Sequence, residues 1–146
     1  MTAKELMKQC EAEEKELKFR EFSSETALAI GMALIEEAKK RDNKICIDIT
    51  IAGRRLFHYS SDGNAVSNDI MIERKKKTAM HTGHSSLWAH YMLEDCGMNI
   101  KEKWALEPSE YAQVGGAFPI RLENCQTVIG TITVSYTHLR AHETLS

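Results

Sequence analysis

At 146 residues the chain is the size of one domain and leaves little room for a second. Its 42% hydrophobic and 27% charged content is that of a globular protein, and at this length about two thirds of the unfolded surface can be buried. The formal net charge of -2 offers no broad basic field for nucleic acid, and no apolar run approaches the length that crosses a bilayer.

Thr2 followed by Glu5 fits a capping box, and the Glu-, Lys- and Leu-rich run to about Lys15 predicts a charged surface helix. That polar start is not the apolar core of a signal peptide, so the expected location is the cytoplasm. Leu17 to Phe22 reads as a short extended piece. Ser24 then caps a second helix whose apolar stripe is Leu28, Met32 and Ile35, with Ala27 and Gly31 beside it. Ile45, Ile47, Ile49 and Ile51 alternate with Cys46, Asp48 and Thr50 at the period of a strand. Ala52-Gly53 makes the tight turn into a partner strand, Arg54 to Ser60. A plain two-residue hairpin sets Ile49 opposite Leu56 and Ile47 opposite His58, which puts His58 on the apolar face.

A basic helix follows from Asn68 to about His81, and Gly83 interrupts it. Ser85 or Ser86 caps the next helix, which ends near Gly97. Pro108 suits the first turn of a short helix that Gly115-Gly116 terminates. Phe118, Ile120 and Leu122 alternate in one strand, Val128 to Val134 form the last, and Glu123 to Gln126 join them. This order describes an α+β domain, an antiparallel sheet with helices on one face.

Four stretches resemble one known family: IDIT with GRRLFHY in the first hairpin, Asn68-Asp69 followed by Ile72 and Arg74-Lys75, the Gly83-His84-Ser85-Ser86 turn, and Gly115 to Ile120. In this order and spacing they look like the haem-degrading-domain family, whose relatives include haem-binding sensors and the C-terminal domain of corrinoid adenosyltransferases. The resemblance runs from 17 to 134, after a charged helix over 1–16. It implies a profilin-like α/β/α domain with a central antiparallel sheet, assembly into homo-oligomers and a tetrapyrrole ligand such as haem. Residues 135–146 match no family helix and look like a truncated or wrongly joined end, so His138 and His142 are given no functional weight.

Of the six histidines, His84 is the favoured iron ligand, since it sits in a turn between two helices where a side chain can enter a cleft. Ser85 and Ser86 at the helix start suit an anionic group such as a propionate; capping alone explains His84 and Ser86 equally well. His58 is the alternative ligand, although a strand histidine is more often a buried, hydrogen-bonded one. In the run Arg74 to Lys77 at most two cations can face one ligand. Arg74 and Lys75 are the better pair, and Lys76 and Lys77 read as a solvated face or a subunit contact. Asn68 and Asp69 either cap their helix or line the site. Gly115 and Gly116 ahead of Phe118 allow close backbone approach to a ligand or partner.

The four cysteines are scattered without a CxxC pair, which argues against structural zinc, and Cys46 reads as a core residue. No GxSxG, HExxH, P-loop or GxGxxG motif occurs; what the family resemblance implies, with His84 and the nearby cations, is a binder of haem or a related tetrapyrrole, with weak haem degradation at most. Two other readings stand beside it: a homo-oligomeric adaptor without small-molecule chemistry, and an enzyme acting on a small anionic substrate held by Arg74 and Lys75.

Overall fold

The alternating isoleucines set the centre of the molecule. In a computed structural model describing residues 1–138, they lie on β1 (Asn43–Ile51), the longest-buried strand of a four-stranded antiparallel sheet. β1 pairs with β2 (Arg54–Ser60) on one side and with β4 (Cys125–His138) on the other, and β3 (Ala117–Leu122) closes the far edge, giving the order β2-β1-β4-β3.

The two faces of this sheet have opposite chemistry. Ile45, Ile47 and Ile49, with Ile132 and Val134 beside them on β4, meet Ala27, Ile35 and Ala38 of α2 (Ser24–Lys40) in an apolar core. Cys46, Asp48 and Thr50 point the other way with Thr131 and Thr133, beneath α3 (Val66–Thr82). Helices therefore cover both faces, as the family resemblance implies and against the one-face reading of the pattern. On α2 the small residues Ala27, Gly31 and Ala38 are buried with Ile35, while Leu28 and Met32 are exposed. Gly31 is small by necessity, because a Cβ there would overlap the Phe57 ring. Ser23, one residue earlier than expected, caps the helix.

The first hairpin departs from the simple register. Ile51 pairs with Arg54 and Thr50 with Arg55, but a bulge then sets Ile49 opposite Phe57 and Asp48 opposite His58. One extra residue moves every later side chain of β2 to the other face. His58 thus leaves the apolar face for the polar one.

α1 (Ala3–Glu16) carries the expected capping box, yet it is no free surface helix. Met7 and Cys10 pack on Trp88 and Ala89 of α4 (Ser86–Cys96). Leu17 to Phe22 forms no strand; Phe19 makes a single parallel bridge to Leu122. No helix starts at Pro108, where the chain only turns. The short helix is α5 (Ile100–Trp104), started by a capping box of Asn99 and Glu102. β4 runs on past 134, pairing Ser135 with Cys46 and His138 with Asn43. His142 lies outside the described residues.

Candidate functional site

His84 occupies the turn that joins α3 to α4. Gly83 ends α3 in the left-handed conformation at φ 73°, the geometry in which glycine is least strained. Ser85 starts α4 by accepting from the Trp88 N–H at 3.0 Å, so the capping is done by Ser85 rather than by His84 or Ser86. The His84 ring, held between these two events, stacks on Trp88 with centroids 3.9 Å apart.

A buried carboxylate fixes that ring. Glu14 reaches over from α1, and its Oε1 lies 2.9 Å from His84 Nδ1 while its Oε2 accepts from the Ser85 N–H at 3.1 Å. Arg121 of β3 adds its guanidinium 3.7 Å from the same carboxylate and donates to the carbonyls of Gly83 and Gln126. Glu11 accepts from the Trp88 indole N–H at 2.9 Å. With Nδ1 engaged, Nε2 is the ring nitrogen of His84 that remains for a ligand. A cleft of about 360 Å³ opens here, lined by His84, Glu11, Glu14, Lys15, Lys18, Arg121 and Gln126. Lys15 and Lys18 bring two ammonium groups to this lining beside the carboxylates of Glu11 and Glu14.

The other residues named from the sequence are distributed over three places. Arg74 donates to the carbonyls of Pro108 and Tyr111, both at 3.0 Å, and so pins the loop before β3. Lys75 is buried and donates to the Val134 carbonyl at 3.1 Å. Burial holds its ammonium below the ordinary lysine value. Gly116, at φ 138°, lies against both groups, and a Cβ there would strike the Val134 carbonyl oxygen. Ser86 accepts from the Ala117 N–H at 2.9 Å. Lys75, Ser86 and Gly116 therefore do converge, but as a packed seam. Ser85, Gly116 and Phe118 line a smaller hollow of about 200 Å³ with Cys10, Glu13 and Leu87. A Cβ at Gly115 would come within 3.6 Å of the Leu87 side chain, an ordinary contact. Neither Asn68 nor Asp69 caps α3, whose N-cap is Ala65 without a side-chain bond. Asn68 donates to Asn64 at 3.2 Å.

Asp69 belongs to a second cluster, between α3 and the polar face of the sheet. Its Oδ1 lies 3.2 Å from Cys46 Sγ and 3.4 Å from His58 Nε2. Asp48, fully buried, takes His58 Nδ1 at 3.3 Å, Arg55 at 2.8 Å and Lys76 at 3.0 Å. Burial raises the Asp48 carboxyl, but the Thr50 hydroxyl and the Lys76 and Arg55 cations outweigh it and hold the group below its ordinary value. Burial and the facing Asp69 push the Cys46 thiol up to about 12. Lys76 is thus the counter-ion of a buried carboxylate instead of part of a solvated face, while Lys77 pairs with Glu110 at 3.4 Å.

Sequence reasoning missed Glu14, Lys15, Lys18 and Arg121, because they lie about 70 and 40 residues away from His84 and share no local motif with it. The helical reading of 1–16 put Glu14 on a charged helix but gave no sign of what that helix covers.

Comparison with known proteins agrees with this fold. A family model described as haem degrading protein HbpS-like matches residues 22–140. A UPF0303 protein of Edwardsiella ictaluri is 36% identical over 135 residues, spanning 92% of this chain and 85% of the relative. Another, from Streptomyces coelicolor, is 36% identical over 125 residues, 86% of this chain and 78% of its own. The crystal structure of Ybr137w protein superposes with a TM-score of 0.83 at 30% identity, over 90% of this chain and 78% of that one. The crystal structure of HbpS gives 0.61 at 19% identity, over 78% and 76% respectively, a likeness of fold.

Proposed function

The chain belongs to the HbpS-like haem-degrading protein family, and from that premise we propose that it binds haem or a related tetrapyrrole at the His84 cleft. The observation that carries this reading is the Glu14–His84 pair: a carboxylate on Nδ1 fixes the tautomer and orientation of an imidazole whose Nε2 can then serve a metal. The remaining lining fits the same ligand. Lys15 and Lys18 offer charge-assisted bonds to carboxylate side chains of a macrocycle. At about 360 Å³ the cleft sits near the lower end of the roughly 300–1,000 Å³ typical of small-ligand sites, which suits one edge of a macrocycle.

In this reading the protein's own residues bind and orient. His84 supplies the metal ligand, Glu14 keeps its proton on Nδ1, and Arg121 partly balances the charge of Glu14. Bound haem would supply redox chemistry at its iron, and weak degradation is the activity that the family description suggests. The ligand role of Arg74 and Lys75 is taken over by Lys15 and Lys18, since the first pair is engaged by backbone carbonyls. Exposed Leu28 and Met32 on α2 support self-association, and the free thiols of all four cysteines suit a reducing cytoplasm.

Haem titration followed through the Soret band tests the reading. Saturable binding should be lost in His84→Ala and weakened about 10–100-fold in Glu14→Gln, the usual range for a residue that orients a metal ligand. His58→Ala should bind as the unaltered chain does. No saturable shift, or one that His84→Ala leaves intact and His58→Ala removes, would overturn it.

A further inference from the structure

Beneath α3, away from the His84 cleft, three donors of different chemistry meet. We propose that Cys46, His58 and Asp69 form a binding site for a single zinc-like divalent cation, with the fourth coordination position left to water.

Each donor comes from a different element. Cys46 stands on β1, His58 on β2 and Asp69 on the first turn of α3, so sheet register and helix docking fix all three. One atom from each, the thiol sulfur, an imidazole nitrogen and a carboxylate oxygen, lie within 4.8 Å of one another, and this is such a group among the described residues. Donors about 2.0–2.3 Å from a tetrahedral zinc stand roughly 3.3–3.8 Å apart. Asp69 Oδ1 is already 3.2 Å from the sulfur and 3.4 Å from His58 Nε2, so small side-chain rotations suffice.

The bulge in the first hairpin is what makes the set. Without it His58 would face the apolar core, on the opposite side of the sheet from the Cys46 and Asp69 side chains. With it, His58 presents Nε2 to Asp69 while Nδ1 meets the buried carboxylate of Asp48 at 3.3 Å. That is the carboxylate–histidine pairing which orients metal-bound imidazoles. Thr50, Arg55 and Lys76 hold Asp48 in turn.

The chemistry of the donors selects the cation. One thiolate, one imidazole and one carboxylate suit zinc and its neighbours, whereas magnesium and calcium prefer all-oxygen sites. Around the cluster the carboxylates of Asp48, Asp69 and Glu73 face the cations Arg55 and Lys76, and the buried Lys75 ammonium interacts with Cys46 through its charge. Binding breaks the S–H bond of Cys46, releases its proton to the buffer and forms a sulfur–metal bond, so a dication adds one net positive charge. His58 and Asp69 remain partly open to solvent, which leaves a path for the ion and its water.

Cobalt(II) titration of the full chain tests the site, because a thiolate-bound tetrahedral cobalt has an intense sulfur-to-metal band in the near ultraviolet. One equivalent should produce that band, and zinc should displace it. Cys46→Ser should remove the band, and Asp48→Asn should weaken binding about 10–100-fold. Because Cys46 is buried, His58→Ala is the second variant. Its ring is partly exposed, and with an unchanged circular dichroism spectrum it should lower cobalt affinity at least tenfold. Absence of stoichiometric binding would overturn the proposal. So would a band that persists in Cys46→Ser, or one lost in His84→Ala and retained in His58→Ala.

Discussion

Asp48 is legible from the sequence as a strand position, while its surroundings are not. Alternation with the isoleucines placed it on the face opposite the apolar core, and that is where it lies. Its complete burial was not legible, because the Lys76 and Arg55 that neutralise it come from α3 and β2. The same blindness affected the run Arg74 to Lys77, four like residues in sequence that α3 turns toward four different partners. The folded-state carboxyl of Asp48 lies below its ordinary value near 3.9, so its stabilising contribution is complete above about pH 4. It is lost as the pH falls through the lower, folded value. Asp48→Asn should therefore cost about 3 kcal/mol at neutral pH by stranding Lys76, and should flatten the acid limb of the stability curve. Urea unfolding at pH 7 and at pH 3.5 would check both, and parallel losses of stability in the two proteins on acidification would contradict the assignment.

Among the elements, those with strong local signals were legible: the capped α1, the helix of α2, the alternation of β1, and the left-handed glycines ending α3 and α4. Failures came where a neighbour decided. The bulge between Ile49 and Thr50 leaves no mark in the local pattern, yet it carries His58 across the sheet. Periodicity sets the stripe of α2 on Leu28, Met32 and Ile35, whereas the helix buries Ile35 with Ala27 and Gly31 and leaves Leu28 and Met32 exposed, since at position 31 a Cβ would overlap Phe57. Gly31→Ala tests that packing. Alanine gains helix propensity of up to about 1 kcal/mol, but overpacking typically costs about 1–3 kcal/mol. The net expectation is a loss of about 1–2 kcal/mol, read as a lower urea midpoint at unchanged slope. A gain in stability would show that Phe57 moves aside freely.

At the scale of the whole molecule, the α+β class and the antiparallel sheet were legible from the order of elements. That a helix also buries the polar face was not legible, because the α3 residues that meet it, Asp69 and Lys76, lie far along the chain from Cys46 and Asp48. One face is an isoleucine core closed by α2, and the other is a polar layer under α3 that buries Asp48, Thr131 and Thr133. The stretches 68–75, 83–86 and 115–120 that carry the family resemblance are divided among three places: a packed seam at Lys75, Ser86 and Gly116, a donor cluster at Asp69, and an open cleft at His84. What builds that cleft is the docking of α1 on α4, a long-range contact no local motif encodes.

Amide hydrogen exchange with and without haem tests most directly whether that docked cleft is the ligand site, because it reports position without altering a residue. Haem should slow exchange at the end of α1 and in the turn around His84 through the first turn of α4, and leave β2 and the start of α3 unchanged. Protection confined to the strands and helix around Cys46, His58 and Asp69, or none near His84 at saturating haem, would contradict it.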